Sequence, residues 1–102
     1  MLDEPALTPD AIRAAHRSIH PAFAGSPQYV HDGLSARLGV PVIVKVETVN
    51  PIRSFKGRGA EYLAAMLEGQ PRLVCASAGN FGQGVAFAAR AFGVPAIVFA
   101  DE

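Results

Sequence analysis

The chain has 102 residues, enough for one small domain that buries on the order of 65% of its unfolded surface and so forms a real core. Half of the residues are apolar and 18% are charged, with nine basic side chains balancing nine acidic ones and no basic run. That balance excludes the electrostatic footprint of a nucleic-acid binder, and it argues against membrane surfaces as partners.

The lone cysteine, Cys75, has no partner for an internal disulfide and no neighbours at metal-ligand spacing. The N-terminal Met1-Leu-Asp-Glu is acidic rather than basic-then-apolar, and no apolar run approaches the roughly 18 residues that cross a bilayer. A soluble protein in a reducing, cytoplasmic setting is expected. The apolar share is high for so short a chain, which leaves surface for an interface or a further domain.

In chain order, Thr8-Pro9-Asp10 pairs an N-cap with proline at the first helical position, and Ile12, Ala15 and Ile19 follow at helical spacing. A helix is expected over 9–19. Pro21, Gly25, Ser26 and Pro27 then predict an extended connector over 20–29, and a short helix over 32–38 should stop at Gly39. Val42-Ile-Val-Lys-Val46 is β-branched and bounded by Pro41 and Asn50-Pro51, so it reads as a strand.

Ser54 can cap a helix running to about Glu68, with Ala60, Leu63 and Leu67 on one face and Gly69-Gln-Pro71 ending it. Leu73–Ala76 is a second strand. Phe81, Val85, Ala88 and Phe92 recur at helical spacing up to Gly93, and a third strand is expected over 96–100. Strands alternating with helices predict an α/β fold: an open parallel sheet with helices on both faces, in three layers. The expected division is an N-terminal helix and connector, 1–40, packing on a large domain outside this sequence, and a partial parallel α/β small domain, 41–102.

Ligands of such sheets bind beyond the carboxyl ends of the strands. Two stretches lie there, Asn50-Pro-Ile-Arg-Ser-Phe-Lys-Gly-Arg-Gly-Ala60 and Ser77-Ala-Gly-Asn-Phe-Gly-Gln-Gly84, and neighbouring strands would put both loops at one site. Lys56 falls in the first turn of its helix, where the helix dipole and loss of water both disfavour a charged amine. A nucleophilic lysine needs such an environment, because at the ordinary lysine pKa of about 10.4 less than about 0.1% is neutral at pH 7. Read alone, Lys56 is better explained as a solvated surface lysine; Phe55 before it and Gly57 and Gly59 after it, at a helix start behind a strand, favour the functional reading.

Gly57 and Gly59 cost about 1 kcal/mol each in a helix, so something must approach the backbone closely, either a ligand or another helix. Arg53 and Arg58 could hold an anion, or make ion pairs at the surface. The second loop sets Gly79, Gly82 and Gly84 around Asn80 at a helix start, so several N–H groups can point at one carboxylate or phosphate. Its glycine spacing is neither that of the dinucleotide folds nor that of a P-loop. His16, His20 and His31 are scattered without carboxylate or cysteine partners, which fits capping or surface roles and no metal site.

Together the two stretches resemble the pyridoxal-phosphate enzymes of fold type II, the tryptophan synthase β-like family, and within it the threonine/serine dehydratases. Leu7-Thr-Pro-Asp-Ala-Ile-Arg is similar to that family's first helix, Ser26-Pro-Gln-Tyr to its connector, and Val44-Lys-Val-Glu to its strand before the lysine. The resemblance implies that pyridoxal 5'-phosphate is held by Phe55, Lys56 and Asn80. Lys56 would be the catalytic residue that forms the Schiff base, Phe55 would pack beside the cofactor, and Asn80 would bond the phenolic oxygen of its ring.

Ser77, Ala78, Gly79, Asn80 and Phe81 would bind the substrate carboxylate. The implied reaction is that of a lyase: a β-hydroxy amino acid, threonine or serine, loses its α-proton to Lys56 and its hydroxyl, and release and hydrolysis of the product by water yield a 2-oxo acid and ammonium. The parent enzyme would be a homo-oligomer.

Two positions depart from the family. Ala78 stands where serine racemases have a second serine, which favours dehydration, and Phe81 stands where dehydratases usually have histidine. Family members continue beyond the equivalent of Glu102 into a glycine-rich loop that holds the cofactor phosphate, so the 102 residues are expected to be an N-terminal fragment that is inactive alone. Two alternatives stay open: a non-catalytic amino-acid-binding or subunit-pairing module, and a threonine synthase or β-replacement enzyme.

Overall fold

The computed structural model describes residues 7–67, 69 and 72–101. Its elements, in chain order, are α1 (Pro9–Ser18), α2 (Pro21–Ala24), β1 (Gln28–Val30), α3 (Asp32–Leu38), β2 (Ile43–Lys45), α4 (Lys56–Met66), β3 (Leu73–Ala76), α5 (Asn80–Ala91) and β4 (Ala96–Phe99). The expected α/β class holds. The expected helix ends at Glu68, Gln70 and Pro71 lie outside the described residues.

Local chemistry accounts for the boundaries. Thr8 Oγ1 accepts the Ala11 N–H at 3.1 Å and Pro9 opens α1. Gly39, with φ of 70°, closes α3 in the left-handed conformation that glycine adopts without strain. Histidines cap the two short helices, His20 Nδ1 accepting from Ala22 N–H and His31 Nδ1 from Leu34 N–H, each at 3.1 Å.

The connector over 20–29 is not extended throughout. Pro21 follows the His20 cap and occupies the first turn of α2, a place where proline starts a helix because its missing N–H has no partner there anyway. β1 then pairs antiparallel with β2, Tyr29 opposite Val44. The parallel pairing is between β3 and β4, with Leu73 opposite Ala96 and Ala76 opposite Phe99. Among the described residues, β2 therefore joins β1 and not β3, and two two-stranded sheets replace the single open parallel sheet that was expected.

What brings the segments after β2 and β3 together is the packing of α4 on α5. Ala60 and Ala64 of α4 meet Val85, Ala88 and Ala89 of α5 over Leu73, in a core built mostly of small side chains. The helices run close: a Cβ on Gly84 would stand 3.0 Å from Ala60 Cβ and 3.4 Å from the Lys56 carbonyl oxygen. One turn before Ala60 on the same buried face of α4, the fully buried Phe23 ring of α2 lies against Gly57, where a Cβ would come within 2.2–2.8 Å of three ring carbons. Phe23 also packs edge-on against Phe87, with ring centroids 5.3 Å apart. Helix packing thus explains Gly57 and Gly84, whereas around Gly59 there is open space.

Candidate active site

Ser54 does not cap α4 as its N-cap residue. Phe55 holds that position, and the Ser54 hydroxyl accepts the Lys56 N–H at 3.2 Å, which starts the helix at Lys56. The Lys56 side chain is exposed, and its Nζ lies 5.0 Å from the centroid of the Phe55 ring, within the range of a cation–π contact. Among the described residues no hydrogen bond engages this amine. Lys45, the other lysine of the chain, has its Nζ donating to the carbonyl oxygens of Ser26 at 3.0 Å and Ala24 at 3.5 Å.

Lys56 opens on a cleft of about 390 Å³ lined by Phe55, Lys56, Arg58, Gly59, Ala60 and Phe81. Close approach of α4 and α5 thus puts residues of both loops in one cleft. Two aromatic rings and a floor without side-chain bulk at Gly59 surround a basic group, in a volume within the roughly 300–1,000 Å³ of small-molecule sites.

The second loop is built around Ser77. Its Oγ accepts the N–H groups of Gly79 at 3.3 Å and Gly82 at 3.0 Å, so this hydroxyl fixes the loop. Gly79 is the N-cap of α5 and Asn80 its exposed first residue. Among the described residues the N–H groups of Ala78, Asn80 and Phe81 make no hydrogen bond, which leaves unpaired donors at the positive end of a helix. Ser77 and Ala78 line an adjoining cleft of about 500 Å³ with Ala76, Phe99, Ala100 and Asp101, beyond the carboxyl ends of β3 and β4.

A larger cleft of about 690 Å³ borders Ala22, Thr48, Val49, Asn50, Pro51 and Arg53. Neither Lys56 nor any residue of the second loop lines it, so the smaller clefts are the better candidates for chemistry.

The partners of two residues that shape the site, Arg58 and Glu61, could not be read from the sequence pattern. Arg58 pairs with Glu47, and its Nε donates to the Phe23 carbonyl at 3.0 Å, so it is part of an internal network and not a surface ion pair. Glu61, 5% exposed, accepts the His20 N–H at 2.6 Å and latches the α1–α2 junction onto α4. The one available clue was Phe23, an aromatic residue in a stretch of prolines and glycines, matched by an otherwise costly Gly57 in a helix.

Residues 19–102 match the family described as "Pyridoxal-phosphate dependent enzyme", and the chain belongs to that family. Within it, the chain is 42% identical over 95 residues to the mitochondrial threonine dehydratase of Saccharomyces cerevisiae, covering 89% of this chain and 16% of the yeast protein. It is 37% identical over 91 residues to the human serine dehydratase-like protein, covering 87% and 28% respectively. Among solved structures, the processed form of threonine deaminase isoform 2 from Solanum lycopersicum superposes with a TM-score of 0.64 at 30% identity, over 91% of this chain and 28% of that one. A second threonine deaminase crystal structure superposes with a TM-score of 0.71 at 32% identity, over 94% of this chain and 38% of that one. The chain thus spans well under half the length of these relatives. Among the described residues no helix is long and apolar enough to cross a membrane.

Proposed function

We propose that this chain carries the lysine-bearing part of the active site of a pyridoxal-phosphate-dependent dehydratase acting on threonine or serine. The observation that carries the reading is the shared cleft, lined by Phe55 and the unengaged Lys56 from the first loop and by Phe81 from the second.

The residues present fit the cofactor. A planar aromatic ring finds flat apolar walls in Phe55 and Phe81, an aldehyde finds a free amine, and Gly59 leaves room beside it. When bound, pyridoxal phosphate supplies an electrophilic aldehyde carbon and a ring that draws electrons from the substrate α-carbon.

Lys56 would hold the cofactor through its Nζ, and the same amine, when free, would take the proton from the substrate α-carbon. The free N–H groups of Ala78, Asn80 and Phe81 would hold the substrate carboxylate, and the Asn80 side chain would help hold the cofactor through its phenolic oxygen. Ser77 holds the loop in the shape that presents these donors. The Phe81 ring offers no hydrogen bond, so it excludes water from that wall instead of orienting a polar group. A cytoplasmic setting and a homo-oligomeric parent belong to the same reading, supported by the free thiol of Cys75 and by exposed apolar side chains such as Val74 and Phe99.

The test is reductive trapping. The chain is incubated with increasing pyridoxal phosphate, reduced with borohydride and mapped by mass spectrometry. The expected result is labelling of Lys56 that saturates with cofactor and disappears in Lys56→Ala, with little at Lys45. Equal labelling of both lysines, rising linearly with concentration, would refute the reading and favour a non-catalytic module.

A further inference from the structure

Glu47 lies two residues beyond β2 and outside the lining of the Lys56 cleft, yet its carboxylate is the hub of the surrounding hydrogen bonds. Oε1 accepts from the Ser26 hydroxyl at 3.1 Å and pairs with Arg58 Nη2, while Oε2 accepts from Asn50 Nδ2 at 3.2 Å. The two polar partners Asn50 and Arg58 stand on opposite sides of Lys56 in the chain.

Asn50 is buried and shapes the segment before the lysine. Its Oδ1 accepts the N–H groups of Ile52 at 3.1 Å and Ser54 at 3.2 Å, and its Nδ2 also donates to the Ser54 carbonyl at 2.7 Å. These bonds bracket Arg53, a non-glycine residue with φ of 56°. Such a conformation persists only where its surroundings over-determine it. Ser54 in turn accepts the Lys56 N–H. Arg58 secures the turn after the lysine, donating to the Phe23 carbonyl and, at 3.1 Å, to the Ser26 hydroxyl.

We infer that Glu47 is a positioning residue for Lys56: one carboxylate ties the strained Asn50–Ser54 loop to the first turn of α4 and so sets the direction in which the lysine enters the cleft. The inference rests on the proposed role of Lys56 as the attachment point. In Glu47→Gln a single amide oxygen replaces the two carboxylate oxygens and an NH2 group faces one of the former donors, so Arg58 loses its counter-charge, Asn50 and Arg58 can no longer both be served, and the flanks of the lysine loosen together.

The test compares the chain with Glu47→Gln and, should that variant fold poorly, with Glu47→Asp, which keeps the charge but retracts it by one methylene. Amide hydrogen exchange is read residue by residue. In Glu47→Gln the amides of Ile52, Ser54 and Lys56 should exchange about tenfold faster, as expected for the loss of one hydrogen bond to a charged group, with Ala88 and Ala89 of the core unchanged. Glu47→Asp should give the same local pattern to a smaller extent.

Reductive trapping gives a second readout: the limiting rate at Lys56 should fall about as much, at an unchanged half-saturating pyridoxal phosphate concentration. An exchange increase spread evenly over the chain, or no increase at Ile52, Ser54 and Lys56, would overturn the inference. Unsaturable, equal labelling of Lys45 and Lys56 in the parent would instead overturn the assignment of Lys56, and the exchange pattern would still decide the role of Glu47.

Discussion

Gly57 and Gly59 sit two residues apart in α4, and the same change to alanine should have opposite effects at the two sites. At Gly57 the new Cβ would meet Phe23 ring carbons at 2.2, 2.4 and 2.8 Å. The ring is fully buried and wedged against Phe87, so it cannot swing aside without moving α2. Overpacking of this kind costs about 1–3 kcal/mol, and three simultaneous clashes place it near the top of that range. Helix propensity returns at most about 1 kcal/mol, which leaves a net loss of about 2 kcal/mol.

For a domain of this size that loss lowers Tm by about 10 °C. At Gly59 a Cβ meets nothing within 4 Å, and Gly59→Ala should stabilise by up to about 1 kcal/mol through propensity alone. Far-UV circular dichroism melts of the two variants read the difference. Phe23→Leu combined with Gly57→Ala should lose less than the sum of the single losses, because the smaller side chain vacates the clash. Gly57→Ala as stable as the parent would refute the packing argument, as would a Gly59→Ala loss of similar size to that at Gly57.

Ser77→Ala removes the acceptor shared by the Gly79 and Gly82 N–H groups, and should cost about 1 kcal/mol, as loss of a cap does, while broadening the amide resonances of residues 78–82. Glu61→Ala removes the carboxylate that accepts the His20 N–H at a part-buried site, a loss of about 1–3 kcal/mol as for a hydrogen bond to a charged group. It should also expose the 18–22 junction to limited proteolysis well before the α4–α5 core is cut.

The elements that were legible in the sequence are those governed by local chemistry. Thr8-Pro9 and Gly39 mark helix ends through caps that act within four residues, and α5 declares itself by an apolar stripe of which the core buries Val85 and Ala88 with Phe81 packed against them, while Phe92 stays exposed. β1 has no such signature: its three side chains are all exposed, so no alternation betrays a strand, and only pairing with β2 defines it.

α2 was hidden by Pro21, which breaks a helix anywhere except the first turn, where it stands. The two loops and their lysine were visible because glycine and polar residues cluster between apolar runs. The clamp around them was not, because Ser26, Glu47 and Arg58 are distant in sequence and meet only through tertiary packing. The glycines divide on the same line. Gly57 and Gly84 answer to packing partners that no local pattern names, while Gly59 and Gly79 border open space on the side of the proposed chemistry.

The central claim, that the Lys56 turn and the Ser77–Gly84 loop form one site, is tested most directly by titrating the ¹⁵N-labelled chain with pyridoxal phosphate and mapping the amide shifts. The predicted response is a saturable set of shifts at Phe55, Lys56, Gly59, Asn80 and Phe81, lost at Lys56→Ala. Shifts gathered instead on Thr48–Arg53 around the larger cleft, or on one of the two loops without the other, would contradict it.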